Sequence, residues 1–305
     1  MVNRKTRCDF FYFTAKKFNF RSRAAFKLIE MNKKFFFLDK ATGVLDLCAA
    51  PGSWMQVVQK LAPLYIPIIG IDIYPIKPLI GCITVKGDIT SPSCFSSIFK
   101  IKNTLNQKIN VILHDGSPKM GSKWVSDVFK QNELVLNAFK LARNFLNYGG
   151  WFITKIFKSE HFNNLFFILR NFFKKIFIFK PIASRSGSTE IYLICNRYFC
   201  ISLNFNSLLE PNFLFKKCEH RKKNQNVRIY ATEFDNSKNI LSFLKLIKKK
   251  TFFFSKKFNF FEKKDENECL FGTDFYGAKF SEKFTNLKNN LSIKLSILKW
   301  FEKNL

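Results

Sequence analysis

Residues 46–54 read Asp46-Leu47-Cys48-Ala49-Ala50-Pro51-Gly52-Ser53-Trp54 and join a short apolar run to an amphipathic one. Small residues let the backbone approach a ligand, and a helix starting there aims its first N–H groups at a carboxylate. The turn is not GxGxxG and lacks the GK[ST] of a phosphate-binding loop. That argues against a dinucleotide and for a nucleoside bearing an amino-acid tail. Asp72 ends the next apolar run and can accept hydrogen bonds from both ribose hydroxyls. Asp88, in GDIT, can accept from an exocyclic adenine amine. One acid at a strand end often only caps a helix. Asp72, Asp88 and Asp115, at the ends of successive strands beside a small-residue turn, point to an adenosine-type ligand.

The elements that must hold these residues follow from periodicity. Strands are predicted at 43–48, 67–73, 82–86, 110–114, 151–157, 176–179 and 190–195. Helices are predicted over 22–32, capped by Ser22, and after Gly52, where Ser53 and Gln56 form a capping box. A long helix opens at Ser122, carries Val128, Val135, Ala138, Ala142 and Phe145 inward, and stops at Gly149–Gly150. A further helix covers 161–170. Strands alternating with helices predict a mostly parallel, doubly wound α/β sheet. The pattern decays near residue 200, which divides a domain over 1–200 from a basic, Lys-, Phe- and Asn-rich extension over 201–305. Ile240, Leu244 and Ile247 suggest one short helix there; Leu291 to Leu298 fit a strand or a helix.

Composition narrows the partners. The 305 residues hold 51 Lys and Arg against 22 Asp and Glu, a formal charge of +29, so the chain seeks polyanions. No apolar run reaches the roughly 18 residues of a membrane span. The N-terminus lacks the apolar stretch and cleavage site of a secretory leader. Eight cysteines without a CxxC read as free thiols in a reducing compartment. Cys195, Cys200, Cys218 and His220 suit no common zinc module, so no metal is expected. The Lys248–Lys250 run reads as a solvated face, with a nucleic-acid arm as the alternative.

DLCAAPGSW, GDIT, HDGSP, TKIF and SRSGSTEIY, in that order, resemble the FtsJ-type RNA 2′-O-ribose methyltransferases over roughly residues 9–217. The resemblance implies a Rossmann-like methyltransferase fold, a mostly parallel seven-stranded sheet with helices on both faces. It implies S-adenosyl-L-methionine (AdoMet) as cofactor, held at Gly52, Trp54, Asp72, Asp88 and Asp115. It also implies a catalytic Lys-Asp-Lys-Glu tetrad at Lys27, Asp115, Lys155 and Glu190. The stretch from His114 to Leu146, with Trp124, Asp127 and Phe129, looks like the nucleolar branch that methylates precursor large-subunit rRNA. KPIASRSGSTEIYLIC and SLLEPNFLF look like it too. That branch usually carries a long charged C-terminal extension, whereas this sequence ends at residue 305, so assembly roles needing that extension are not expected. The implied setting is a pre-ribosomal particle in the nucleus and nucleolus. The alternatives are a tRNA 2′-O-methyltransferase and a non-catalytic RNA-binding assembly factor.

The residue chemistry agrees with this. Methyl transfer from a sulfonium to a hydroxyl is an in-line displacement, in which positioning is the protein's main work. A ribose 2′-hydroxyl is a poor nucleophile and needs a base or an electrostatic substitute, and a lysine flanked by cations can serve. Asp115 and Glu190 would orient the ammonium groups, so the four should act as a coupled unit. His114 is read as a packed strand-end residue. RNA contact is expected from Arg4, Lys5, Arg7, Lys16, Lys17, Arg21 and Arg23, clustered ahead of Lys27.

Overall fold

The structure is a computed structural model that describes residues 9–118, 121, 124–159, 162–185, 187–199, 209 and 229–230. These belong to a compact unit spanning Met1–Phe234; a second unit, Asp235–Leu305, lies outside them. The two candidate segments at 240–247 and 291–298 therefore lie outside the described residues, as do Cys200, Cys218 and His220.

Strands β1 (Val44–Leu47), β2 (Ile68–Asp72), β3 (Ile83–Lys86), β4 (Ile109–His114), β5 (Leu146–Phe157), β6 (Phe173–Phe179) and β7 (Glu190–Tyr198) fulfil the seven predicted runs. A two-residue strand, β8 (Ile229–Tyr230), adds an eighth at the edge, too short to leave a period in the sequence. The order is β3-β2-β1-β4-β5-β7-β6-β8. Pairing is parallel except for β7, which runs antiparallel to both β5 and β6. Strands β1 and β2 are buried along their whole length, as parallel strands covered on both faces must be. The order reverses between β1 and β4, which opens a crevice beyond their carboxyl ends.

The helices are α1 (Phe10–Lys17), α2 (Ala24–Phe35), α3 (Ser53–Leu61), α4 (Pro92–Leu105), α5 (Trp124–Ala142) and α6 (Phe162–Arg170). Helices α1 and α4 are not expected from periodicity, since each buries only two residues. Their caps carry the signal instead: Asp9 accepts from Tyr12 N–H, and Ser91, before Pro92, accepts from Cys94 N–H. The capping box at Ser53 does not form. Gly52 is the cap in a left-handed conformation, Ser53 Oγ bonds Ser22 Oγ, and Gln56 turns to Arg21 and Asn19. Helix α5 ends at Ala142, seven residues before the predicted glycine stop. Gly149 (φ +79°) instead lies inside β5, where the register with β4 shifts between Ile109 and Val111. The expected Ser122 start lies outside the described residues.

The phenylalanine excess fills the core on the α5 side of the sheet. Phe139 of α5 meets Phe152 of β5 and Phe172 and Phe173 at ring-centroid distances of 5.4, 5.0 and 5.7 Å. Among the described residues no helix is long and apolar enough to cross a membrane. Phe139→Ala should lower unfolding free energy by about 3–5 kcal/mol through the cavity it leaves, read by chemical denaturation with an unchanged slope.

Candidate active site

The first strand-to-helix turn is braced from behind. Arg21 donates to the carbonyls of Pro51 (2.8 Å), Lys77 (2.6 Å) and Pro78 (2.8 Å). A Cβ on Gly52 would lie 2.6 Å from the Arg21 guanidinium, and Gly52 has φ +98°, so only glycine fits. Asp72, at the end of β2, accepts from Ala50 N–H and Tyr74 N–H, each at 2.8 Å. It therefore shapes the turn at the carboxyl end of β2. Asp88 accepts from Thr90 N–H and Thr90 Oγ at a single oxygen, Oδ1. The Trp54 indole is buried and donates to Ala24 O, and its backbone lies in the first turn of α3.

The predicted tetrad assembles as two ion pairs. Lys155, near the end of β5, donates to Asp115 O (2.8 Å) and pairs with Asp115 Oδ1 (3.2 Å). Lys27 of α2 pairs with Glu190 Oε1 at 2.5 Å. Glu190 reaches this edge because β7 is antiparallel: its first residue lies across from Phe157, the last of β5. Burial by itself would raise the Asp115 carboxyl. Lys155 and Lys27, with hydrogen bonds from Tyr192 and Lys155, outweigh it and hold the group below the ordinary carboxylate value.

Three residues the motifs did not assign tie the pairs together. The Tyr192 hydroxyl donates to Asp115 Oδ1 (2.7 Å), and its ring lies 5.8 Å from Lys27 Nζ. Its phenol is pushed well up by burial and by Asp115, so it stays a donor. Gln131, buried on α5, donates from one nitrogen to Gly116 O and Lys155 O, both at 3.1 Å. That single amide fixes the β4 turn to the strand carrying Lys155. Glu30, one helical turn after Lys27, accepts from Ile182 N–H (2.7 Å) and Ala183 N–H (3.0 Å). It thus binds α2 to the segment leading into β7. Tyr192 sits inside the STEIY motif, but no sequence period marks Gln131 or Glu30 as more than helix residues.

His114 is fully buried, with Nδ1 on Thr154 Oγ at 2.8 Å. Burial, with Lys155 nearby, drops its imidazole to about 3, so it is neutral and packed. Asp46 lies fully buried beneath the turn with Oδ2 unpartnered, and burial beside Asp115 and Asp72 raises it well above the carboxylate range. Among the expected RNA contacts, Arg21 is engaged as above, and Arg23 pairs with Asp9 and donates to Ala183 O (2.5 Å). Lys16 and Lys17 are exposed on α1; Arg4, Lys5 and Arg7 lie outside the described residues. Among the described residues no group of three His, Cys, Asp or Glu side chains could hold a metal ion.

The donor set fits an adenosyl amino acid. Carboxylates stand after β2, β3 and β4, N–H groups open α3, and Ile73 and Tyr74 expose apolar surface beside Asp72.

The description "FtsJ-like methyltransferase" matches residues 20–198. A Dictyostelium discoideum protein named pre-rRNA 2′-O-ribose RNA methyltransferase is 46% identical over 219 residues, 72% of this chain and 26% of that one. A Mycosarcoma maydis protein named AdoMet-dependent rRNA methyltransferase SPB1 is 43% identical over 215 residues, 70% of this chain and 23% of that one. The chain therefore spans about a quarter of the length of these relatives. A crystal structure from Plasmodium falciparum, described as a ribosomal RNA methyltransferase, superposes with a TM-score of 0.53 at 32% identity. It covers 59% of this chain and 98% of that one.

Burial of Glu30 makes the fold pH-dependent. Burial raises the Glu30 carboxyl from 4.5 to about 7, against the pull of the two N–H groups and Lys27. The folded state binds the extra proton, so stability is lost as pH rises through that window, by at most about 3 kcal/mol. Glu30→Gln should flatten this fall, read as unfolding free energy across a pH series.

Proposed function

We propose, for a chain that belongs to the FtsJ-like methyltransferase family, that it methylates ribose 2′-hydroxyls of precursor large-subunit rRNA during ribosome biogenesis. The observation that carries this reading is the paired tetrad, Lys155–Asp115 and Lys27–Glu190, at the crevice beyond β1 and β4. A non-catalytic binding protein has no need of four charges paired away from water. The names of the relatives supply the RNA class. We extend the proposal to the nucleolus, or an equivalent assembly compartment, and to pre-ribosomal particles as the setting. Residues 1–200 form the catalytic domain in this reading, and 201–305 a basic extension.

S-adenosyl-L-methionine supplies the methyl group as a sulfonium when bound. Asp72 and Asp88 would hold its ribose diol and adenine amine, and the N–H groups around Gly52 and Trp54 its carboxylate. Asp115, close enough to the unpartnered Asp46 to raise its carboxyl, would hold the amino-acid end. The protein's work at the ribose is then local. As the neutral amine, having first given its own proton to solvent, Lys155 would take up the 2′-hydroxyl proton; as the ammonium it would stabilise the oxygen while the oxygen–methyl bond forms and the methyl–sulfur bond breaks. Asp115 and its carbonyl aim the Lys155 ammonium, Tyr192 anchors Asp115, and Lys27, held by Glu190, borders the same space.

Lys155→Ala should reduce single-turnover transfer of labelled methyl to an rRNA fragment by about 10²–10⁴-fold. Calorimetric AdoMet binding should persist, although Asp115 then keeps only the Tyr192 hydrogen bond and the charge of Lys27, and stability falls by several kcal/mol. Lys155→Arg should be nearly inactive if Lys155 is a base and partly active if it acts by charge alone. Wild-type rates in Lys155→Ala would refute the catalytic assignment. Asp72→Ala should weaken AdoMet binding roughly ten- to hundred-fold, through both a lost charge-assisted bond and a loosened Ala50 turn. Calorimetry showing unchanged affinity would remove Asp72 from the cofactor site.

A further inference from the structure

Lys155, Phe157, Glu190 and Tyr192 share one face of the sheet at its carboxyl edge. Lys155 and Phe157 are two residues apart on β5, and Phe157 stands directly across from Glu190. Trp124, the first residue of α5, lays its indole against Phe157 with ring centroids 5.8 Å apart and planes inclined by 39°. The indole is thus one side chain out from both ion pairs. Trp124 is nonetheless 48% exposed, and Val125 beside it is 77% exposed. Lys158, next to Phe157 in sequence, is exposed as well.

The geometry points to Trp124 as a stacking wall for an unpaired RNA base, held there while the adjoining ribose lies at Lys155 and Asp115. The inference rests on the RNA reading above and deepens it by naming how the substrate is oriented. Three physical points carry it. The tetrad is neutral in sum, so it cannot itself draw in a polyanion, whereas the chain as a whole carries +29. Phosphate attraction is not directional enough to place one hydroxyl, but an aromatic face fixes a base plane and hence its sugar. Trp124 packs on Phe157, whose neighbours on the same sheet face are Lys155 and Glu190, so a protein seated on the indole would stand beside the ion pairs and crowd the substrate out.

The test uses the full chain and two single-stranded RNA oligonucleotides of equal length, one normal and one abasic. Normal RNA should quench tryptophan fluorescence in the wild type, and Trp124→Phe should abolish the quench while keeping affinity within about threefold. Trp124→Ala should weaken binding of normal RNA by about five- to a hundred-fold. Abasic RNA should bind wild type and Trp124→Ala alike. The salt dependence of binding should not change, since no phosphate contact is lost, and AdoMet affinity should hold. Unchanged RNA affinity in Trp124→Ala, or a quench that survives in Trp124→Phe, would overturn the inference and leave the surface to a protein partner. Equal losses for abasic RNA or AdoMet would also overturn it, by showing a structural role. A wild-type chain that binds neither RNA would overturn the RNA reading itself, and this inference with it.

Discussion

Four charges withdrawn from water in one small volume must neutralise one another, and that requirement organises the carboxyl edge of the sheet. An unpaired buried ammonium or carboxylate costs several kcal/mol, and pairing only offsets that cost. Apolar residues would stabilise the same space as well, so stability alone does not account for the pairs, and the proposed chemistry does. Their geometry then depends on topology. A parallel β7 would carry Glu190 to the far edge of the sheet; running antiparallel, it begins beside Phe157. Lys27 arrives from α2, which Glu30 binds to the segment before β7. Tyr192 links the two pairs, and Gln131 sets the distance between β4 and β5 where Asp115 and Lys155 leave them.

The cofactor side obeys a different constraint, close backbone approach. Gly52 can be left-handed because it lacks a Cβ, and the Arg21 guanidinium fills the space a Cβ would take and gathers three carbonyls around itself. Asp72 closes the turn from the front through Ala50 N–H. The same arginine looks, in sequence, like part of a basic RNA arm. Position in a charge cluster does not separate a guanidinium that meets phosphate from one that meets backbone carbonyls. Arg23, bound to Asp9 and Ala183, makes the same point.

The sheet was legible because buried parallel strands read as apolar runs bounded by turns, and all seven were located within a few residues. At the site, Asp115 stood out as an acid at a strand end, whereas Lys27, Lys155 and Glu190 were placed by family resemblance through RSRAAFKL, TKIF and STEIY; the structure brings the four together as two ion pairs. Helices that bury little, α1 and α4, left no period to find, and β8 is too short to have one. Ser53 and Gln56 have the spacing of a capping box, yet tertiary partners claim both side chains. Gln131 and Glu30 act through backbone groups 15 to 153 residues away, and contacts of that kind write nothing local into the sequence.

Neutrality inside the site also separates rate from affinity. The pairs cancel, so the long-range field that a polyanion meets comes from charges elsewhere on the chain. A strongly basic catalytic pocket would grip phosphate wherever it met it and would misplace the sugar. A neutral pocket admits a ribose without competing for its flanking phosphates, and leaves the choice of nucleotide to contacts around the rim. Under the proposed function, positive charge would gather RNA non-specifically, apolar surface at the rim would fix one base plane, and the Lys155–Asp115 pair would meet only the hydroxyl so delivered.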